Sequence, residues 1–158
     1  MQTVSDIMTR GIRTMSPTDT IIAAAQAMRE LDIGSLPVCD GVRLVGMVTD
    51  RDIVVRAVAQ ERMNAQLSGI MSEGMLYCHE DDSVASALES MRKQQVRRLP
   101  VLNNDQQLVG IVSLGDLATK ADGGGLAEAI RDISEPSDLD GPRIASGSGA
   151  SGTGPRVA

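Results

Sequence analysis

Apolar residues recur at helical spacing in two stretches of the chain, with polar residues between them. The residues that share a face are Ile21, Ala24, Ala25, Met28 and Leu31 in the first stretch and Val84, Ala87, Leu88 and Met91 in the second. Thr20 and Ser83 stand directly before these stretches, where a side-chain oxygen can accept a free N–H group of the first helical turn. The pattern therefore predicts two amphipathic helices capped by Thr20 and Ser83.

Short apolar runs follow each predicted helix in pairs, and they predict strands. The predicted strands are residues 36–39 and 44–48 in the first half and residues 99–102 and 108–112 in the second. The turns between them, Asp40-Gly41 and Asn103-Asn104-Asp105, have the polar composition of hairpin turns. Second helices are predicted to begin near Thr49 and Ser113. Each half is thus predicted to be an α/β unit of the β-α-β-β-α type.

The two halves are one unit written twice. Pro37 and Pro100 lie 63 positions apart, and this shift also superposes Met8 on Met71. After one additional residue in the second turn the shift becomes 64, which superposes Asp52 on Asp116. Neither copy alone is expected to cover both faces of its small sheet. The copies are therefore expected to pack against each other about a pseudo-twofold axis.

The repeat also predicts how the chain is divided. Residues 1–62 are predicted to form the first unit and residues 63–121 the second. Residues 123–125 are all glycine and interrupt the last helix of the second unit. In the remaining segment, 122–158, residues 126–133 have the spacing of one or two amphipathic helical turns. Gly, Ser and Pro dominate after that, so a disordered, flexible tail is expected.

Composition and charge narrow the classes of function. The chain has one tyrosine, no tryptophan and no phenylalanine, so stacking surfaces for single-stranded nucleic acid are almost absent. A formal net charge of −6 also opposes general binding to nucleic acid. No apolar run approaches the roughly 20 residues that cross a bilayer, and the sequence MQTVSDIMTR lacks the apolar core of a secretory signal. We expect a cytoplasmic protein with neither nucleic acid nor membrane as partner.

Residues of the types that commonly act in catalysis or bind metals are few and scattered along the chain. Cys39 and Cys78 lack metal-ligand spacing, so ordinary reduced thiols are expected, with a disulfide between them as the alternative. His79 is the single histidine, and a solvated entry to the following helix is favoured over a metal site. No Ser–His–Asp, Cys–His or paired-carboxylate constellation is evident, which argues against an enzyme.

The most informative local signal is the junction between the second hairpin strand and the second helix. Thr49 with Asp52, and Ser113 with Asp116, fit the capping-box pattern, which contributes only about 1 kcal/mol to helix stability. The same geometry also suits a nucleotide, since the hydroxyl and free amides bind phosphate and the carboxylate accepts ribose hydroxyls. The glycines in these strands are expected to let a ligand approach the backbone. Both interpretations stay open on these residues alone.

The order DIM, LPV and LVG-x-V-[T/S]-x-x-D, of which LPV and the last element each occur twice, resembles a tandem pair of cystathionine-β-synthase (CBS) domains of the small stand-alone bacterial type. The resemblance extends from Val4 to about Thr119. It implies a compact module with two composite clefts that commonly dimerises into a disk. It also implies a ligand such as AMP, ADP, ATP or another adenosyl compound, with no required cofactor, although some members bind nothing detectable.

The resemblance further implies which residues line each cleft. The stronger candidate cleft would contain Ser113, Asp116, Arg97, Arg98, Ile12, Arg13 and Ile33. In it the hydroxyl, the carboxylate and the arginine pair would contact ribose and phosphates, and the remaining residues would bracket the adenine. The second cleft would contain Thr49, Asp52, Met75, Leu76 and Val96, with the last three around the base.

The two clefts are expected to differ in charge, because Gly34-Ser35 occupy the positions of Arg97-Arg98. The Asp116 cleft therefore suits a charged nucleotide, and the Asp52 cleft a less anionic ligand. The leading hypothesis is a regulatory module that binds an adenine nucleotide and signals to a protein partner. The alternative is a ligand-free dimeric interaction protein in which both junctions are only helix caps.

Overall fold

The chain folds into two α/β units, and the computed structural model describes it over residues 1–121 and 126–134. The first unit contains α1 (Val4–Ile7), α2 (Ile21–Leu31), β1 (Ser35–Asp40), β2 (Arg43–Thr49) and α3 (Asp50–Asp52), which continues through a π-helical segment (Ile53–Ala57) and a 3-10 turn (Val58–Gln60). The second contains a 3-10 turn (Leu67–Gly69), β3 (Cys78–His79), α4 (Val84–Gln94), β4 (Arg98–Leu102), β5 (Leu108–Ser113) and α5 (Leu114–Lys120). A last helix, α6 (Leu126–Ser134), follows.

The two long helices begin and end at equivalent positions. The side chains of Thr20 and Ser83 each accept the backbone N–H three residues further on, at 3.1 Å, so both predicted caps are confirmed. The helices end at Asp32 and Gln95, both with φ near 53° in the left-handed region. This conformation closes a helix by turning its last N–H groups back toward free carbonyls.

Each unit has an antiparallel hairpin with a parallel neighbour at its edge. β1 pairs with β2, and β4 pairs with β5, as predicted. In the second unit Cys78 of β3 pairs in parallel with Val101, and in the first unit Met15 makes the equivalent single bridge to Val38. The turn after β1 contains Gly41 at φ 63°, a conformation that glycine adopts without strain.

Contacts between the units are reciprocal. Thr9 of the first unit bridges Ile111 of the second, and Met47 of the first bridges Ser72 of the second. The repeat superposes Thr9 on Ser72 and Met47 on Ile111, so each contact is the symmetry counterpart of the other. Reciprocal pairing of this kind is the signature of a twofold relation. The predicted pair of α/β repeats about a pseudo-twofold axis is confirmed.

Two contacts join residues that are equivalent to each other, and these contacts therefore lie at the axis. Arg43 bridges Gln107 in antiparallel fashion. Arg98 Nη1 donates a hydrogen bond of 3.2 Å to Ser35 Oγ, a residue 63 positions earlier. The axis therefore runs past the first residues of β1 and β4, which pair with Thr49 and Ser113 at the two strand-to-helix junctions.

Each core is completed by a segment from the other unit. Val4, Ile7 and Met8 are buried in the core of the second unit, whereas Leu67 and Ile70 are buried in the core of the first. Burying one such side chain contributes about 1.5–3 kcal/mol. The cores are therefore built across the predicted boundary between residues 62 and 63, and the units are interlocked.

Helix α6 extends the second core. Ile133 is buried there, and Asp132 forms an ion pair with Arg92 of α4. The segment from residue 135 onward, predicted to be a disordered tail, lies outside the described residues. Among the helices of the described residues, none has the length and apolar character needed to cross a membrane.

The second helix of the first unit differs from its counterpart. After Asp52 the chain widens into the π-helical segment Ile53–Ala57, whereas α5 is a regular helix over Leu114–Lys120. Residues 53–55 are all β-branched, and such side chains crowd the preceding turn of an α-helix. The wider turn buries both Ile53 and Ala57 against the first core.

Candidate functional site

Both strand-to-helix junctions form complete capping boxes. At the second junction Ser113 Oγ accepts the Asp116 N–H at 3.1 Å, and Asp116 Oδ2 accepts the Ser113 N–H at 2.8 Å. At the first junction Thr49 and Asp52 make the same two bonds at 3.1 and 2.9 Å. The prediction that these residues are helix caps is confirmed. The cap engages only one oxygen of each carboxylate through the backbone, which leaves the other for further contacts.

The second oxygen of Asp116, Oδ1, faces basic and hydroxyl donors. It accepts a hydrogen bond from Lys120 Nζ at 2.9 Å and a longer one from Thr9 Oγ1 at 3.5 Å. Burial raises the pKa of Asp116, but the hydrogen bonds from Lys120 and Ser113 outweigh it and hold the pKa below its ordinary value of 3.8. Asp116 is therefore an ionised acceptor at neutral pH.

A cleft of about 670 Å³ opens between the units beside this carboxylate. It lies in the size range of small-molecule sites. Six of the residues implied by the family resemblance line it, namely Ser113, Asp116, Arg98, Ile12, Arg13 and Ile33. Arg10 also lines it and was missed by the sequence analysis. The cleft thus combines one carboxylate, three guanidinium groups and three isoleucines, the third being Ile111.

The cleft is composite because the segment after α1 pairs with β5. Thr9 and Ile111 exchange backbone hydrogen bonds of 2.8 and 3.0 Å, which places residues 9–13 beside the second junction. Gly110 permits this approach, since a Cβ atom there would lie 2.8 Å from the Thr9 carbonyl oxygen and 2.8 Å from Met8 Sδ. The expectation that this glycine admits a ligand was wrong. It admits the chain of the other unit, and Gly46 does the same.

Arg97 does not line this cleft. It lines an adjoining concavity of about 480 Å³ together with Arg98, Ser113 and Gly115. β4 begins at Arg98, and Arg97 lies directly before the strand. The two concavities meet at Arg98 and Ser113. The role of Arg97 in binding stays a prediction.

The residues predicted for the second cleft occupy the equivalent positions on the first unit. Met47 and Ser72 exchange backbone hydrogen bonds of 3.0 and 2.9 Å, which places the segment of Met75 and Leu76 beside β2. Met75 and Val96 are half-buried and Leu76 is exposed. Met75 also lines a cleft of about 710 Å³ that includes the axial pair Arg43 and Gln107. Binding at this side stays a prediction.

The thiols and the histidine are placed as structural residues. Cys39 and Cys78 are free and buried, each in its own half of the fold. Burial and the nearby Asp82 raise the pKa of Cys78 to about 12, so its thiolate is suppressed at neutral pH. The His79 ring packs edge-on to Tyr77 with ring centroids 5.6 Å apart. Among the described residues, no group of three or more His, Cys, Asp and Glu could hold a metal ion.

The model of the CBS domain family matches residues 4–58 and again residues 67–123. This chain belongs to the CBS domain family. The two matched segments are the two repeat units, and the predicted tandem CBS pair is confirmed. The composite cleft beside Asp116 is thus a cleft between two CBS motifs.

Relatives match this CBS pair along nearly their whole length. Hypoxic response protein 1 of Mycobacterium tuberculosis is 37% identical over 142 residues, which are 88% of this chain and 99% of that protein. The CBS domain-containing protein YhcV of Bacillus subtilis is 41% identical over 119 residues, which are 75% of this chain and 84% of that protein.

Solved structures share the fold. The crystal structure of hypoxic response protein I with two coordinated zinc ions is 41% identical, with a TM-score of 0.68 over 75% of this chain and 98% of that chain. The CBS domain pair of protein MJ0100, in complex with 5′-methylthioadenosine and S-adenosyl-L-methionine, is 29% identical. Its TM-score is 0.65 over 74% of this chain and 97% of that chain.

Proposed function

We propose that this CBS pair is a regulatory module that binds an adenine nucleotide in the cleft beside Asp116 and signals its occupancy to a protein partner. The proposal rests on the residues that line that cleft. An ionised carboxylate, a hydroxyl and three arginines surround a space bounded by isoleucines. This combination matches the ribose, the phosphates and the base of one ligand.

Each part of the nucleotide has a chemically suited partner. Arginine forms charge-assisted, bidentate hydrogen bonds with phosphate, and Arg10, Arg13 and Arg98 all line the cleft. Asp116 Oδ1 suits the ribose hydroxyls, since the cap occupies Oδ2. Ile12 and Ile33 provide apolar surface for the faces of an adenine. The arginines favour AMP, ADP or ATP over an uncharged adenosyl compound, and no further cofactor is required.

The comparisons support an adenosyl ligand at the level of the family. The pair in MJ0100 is described in complex with 5′-methylthioadenosine and S-adenosyl-L-methionine, and it is 29% identical to this chain. We propose that this CBS pair is regulatory rather than catalytic. We further propose a cytoplasmic homodimer with neither nucleic acid nor membrane as partner, in keeping with the net charge of −6.

A second candidate function follows from the capping boxes. Both junctions are fully hydrogen-bonded without any ligand, which favours a ligand-free dimeric interaction protein in which Asp116 and Asp52 act only as caps. The two functions differ in one observable, namely whether an adenosyl compound binds the folded chain.

Thermal unfolding with and without ATP, ADP, AMP and S-adenosylmethionine tests the proposal. A ligand at one hundred times its Kd stabilises the folded state by about 2.7 kcal/mol, which raises the Tm of a chain of this size by several degrees. Asp116→Asn should abolish that rise. Asp6→Asn is the matched control, since Asp6 closes the capping box of α1 with Thr3 outside the cleft. A chain whose Tm no adenosyl compound raises at millimolar concentration would be the ligand-free interaction protein.

A further inference from the structure

A cavity of about 710 Å³ lies where the hairpin turns of the two units meet. The axial pair Arg43 and Gln107 stands in its wall, so both units line it. None of the four capping-box residues of the two strand-to-helix junctions lines it. Its volume is in the range of small-molecule sites. The cavity is therefore a second candidate site, separate from the Asp116 cleft.

The repeat gives this cavity a counterpart that is much smaller. Residues 11, 12, 14, 39, 108 and 109 line a concavity of about 180 Å³, and the repeat superposes them on six residues of the larger cavity. Four of those six are apolar side chains, namely Leu44, Val45, Met75 and Leu102. The second hairpin turn, which has one residue more than the first, forms part of the larger wall. The greater volume thus accompanies a local departure from the repeat.

The charged and aromatic groups occur only in the larger cavity. It is lined by Arg43, Asp105 and Tyr77, whereas Gly41 and Thr14 stand at the positions of the last two in the smaller concavity, which no charged residue lines. Tyr77 is the one tyrosine of a chain without phenylalanine or tryptophan, and it is 47% exposed. One copy of an apolar wall therefore carries an aromatic ring and two opposite charges that the other copy lacks.

The two charges of the larger cavity do not pair with each other. Arg43 and Asp105 are exposed, and neither side chain forms a hydrogen bond or ion pair with any residue that the structure describes. The turn that carries Asp105 is nevertheless fixed, since Asn103 Oδ1 accepts the N–H groups of Asp105 at 3.0 Å and of Gln107 at 2.9 Å. An unpaired cation and an unpaired anion beside apolar surface are complementary to a molecule that has both charges and an apolar part.

We infer that this cavity binds a free α-amino acid with an aromatic side chain. The Arg43 guanidinium donates charge-assisted hydrogen bonds to the carboxylate, and the Asp105 carboxylate accepts those of the ammonium group. The aromatic ring packs against Tyr77 and the apolar side chains of Leu44 and Met75, and a pair of aromatic rings adds to the gain from burial. The amino acid contacts both units at the axis, and its binding does not depend on the nucleotide proposed for the Asp116 cleft.

Calorimetry on the full chain with L-phenylalanine as the probe tests this inference, and one molecule per chain is expected to bind. Arg43→Gln copies the residue of the other unit and should weaken binding about 10- to 100-fold, and Asp105→Asn should do the same. Tyr77→Thr also copies the other unit and should weaken binding about 2- to 10-fold. N-acetyl-L-phenylalanine amide, which has the ring without either charge, should not bind.

Arg29→Gln and Glu30→Gln are the matched controls for loss of one charge, since both residues are exposed on α2 and line neither cavity. Melting each variant without ligand verifies that it is folded. The inference is wrong if L-phenylalanine does not bind at millimolar concentration, or if the uncharged amide binds equally well. Binding that neither Arg43→Gln nor Asp105→Asn weakens would place the amino acid elsewhere and overturn the site. The proposed function is tested separately, because Asp116 does not line this cavity.

Discussion

Lys120 Nζ lies 2.9 Å from Asp116 Oδ1, one helical turn further along α5. The same ammonium donates to the Ile7 carbonyl at the end of α1, at 3.3 Å. Lys120 therefore joins the carboxylate of the candidate site to the segment that completes the second core. A ribose hydroxyl that binds Oδ1 has to share this oxygen with the lysine.

The other unit repeats this arrangement with a different cation. Arg56 pairs with Asp52 and donates to the Ile70 carbonyl, and the repeat superposes Arg56 on Lys120 and Ile70 on Ile7. Both junctions thus keep a basic residue that holds the carboxylate to a crossing segment, that is, to the residues buried in the core of the opposite unit (4–8 or 67–70). A ligand that displaced either cation from its carboxylate would also change this contact, as the proposed signalling requires. A conformational signal needs such a difference between the free and bound states.

Replacing Lys120 with methionine should strengthen the binding of adenosine. The substitution frees Asp116 Oδ1, and a partly exposed ion pair contributes about 0.2–1 kcal/mol, so the affinity should rise about 1.4- to 5-fold. Adenosine is the appropriate probe because it has the ribose without a phosphate that the lysine could attract. Lys93→Met is the matched control, since Lys93 forms a comparable pair with Glu89 on α4 away from the cleft. An affinity that falls, or does not change, contradicts competition for Oδ1.

The stability of the chain should fall in acid partly because of Asp116. Its pKa in the folded chain lies below 3.8, so the unfolded chain binds the proton more tightly. The carboxylate therefore stabilises the fold fully above its unfolded pKa, and this contribution is lost as the pH falls through the folded pKa. The free energy of unfolding, measured with urea from pH 6 to pH 2, should fall less steeply in acid for Asp116→Asn than for the wild type. If it falls equally steeply in both proteins, Asp116 makes no such contribution.

Gly110→Ala should loosen the cleft and destabilise the fold. The new methyl group would lie 2.8 Å from the Thr9 carbonyl oxygen, so the bridge between Thr9 and Ile111 would have to shift. Overpacking of this kind costs about 1–3 kcal/mol, which urea unfolding can measure. Gly115→Ala is the control, since its new methyl group would meet Ser113 Oγ at an ordinary 3.5 Å in a helix that favours alanine. If the two variants were equally stable, the close approach at Gly110 would not be required.

Features that depend on neighbouring residues along the chain could be predicted from the sequence. The caps at Thr20 and Ser83, the hairpins and the repeat are of this kind, because turn and cap chemistry acts over three or four residues. The π-helical segment after Asp52 was not predicted: the β-branched run 53–55 is a local signal that was not used, and the burial of Ile53 and Ala57 against the first core is a tertiary contact. Tertiary contacts of that kind override local propensity.

The candidate site could be predicted only in part for the same reason. Ser113 and Asp116 lie within one turn of each other, and their spacing alone indicates the junction. Arg10 reaches the cleft because Thr9 pairs with β5, a contact that no local pattern specifies. Arg97 and Arg98 were predicted to share one cleft; they share the smaller concavity, and only Arg98 also lines the larger one, so the role of Arg97 stays a prediction.

The interlocked cores give the last prediction. Ile7 and Ile70 are equivalent residues, both about 1% exposed, and each is buried in the core of the opposite unit. Replacing such a residue with alanine leaves a cavity and costs about 2–5 kcal/mol. Ile7→Ala should therefore lower the protection of α4 amides against hydrogen exchange, and Ile70→Ala should lower that of α2. In both variants the loss of protection is expected in the unit that does not contain the substituted residue. Local opening depends on which core buries the side chain and not on which sequence repeat contains it. Loss of protection confined to the unit that carries the substitution would show that each repeat is stabilised separately, and a signal could then not pass through the crossing segments.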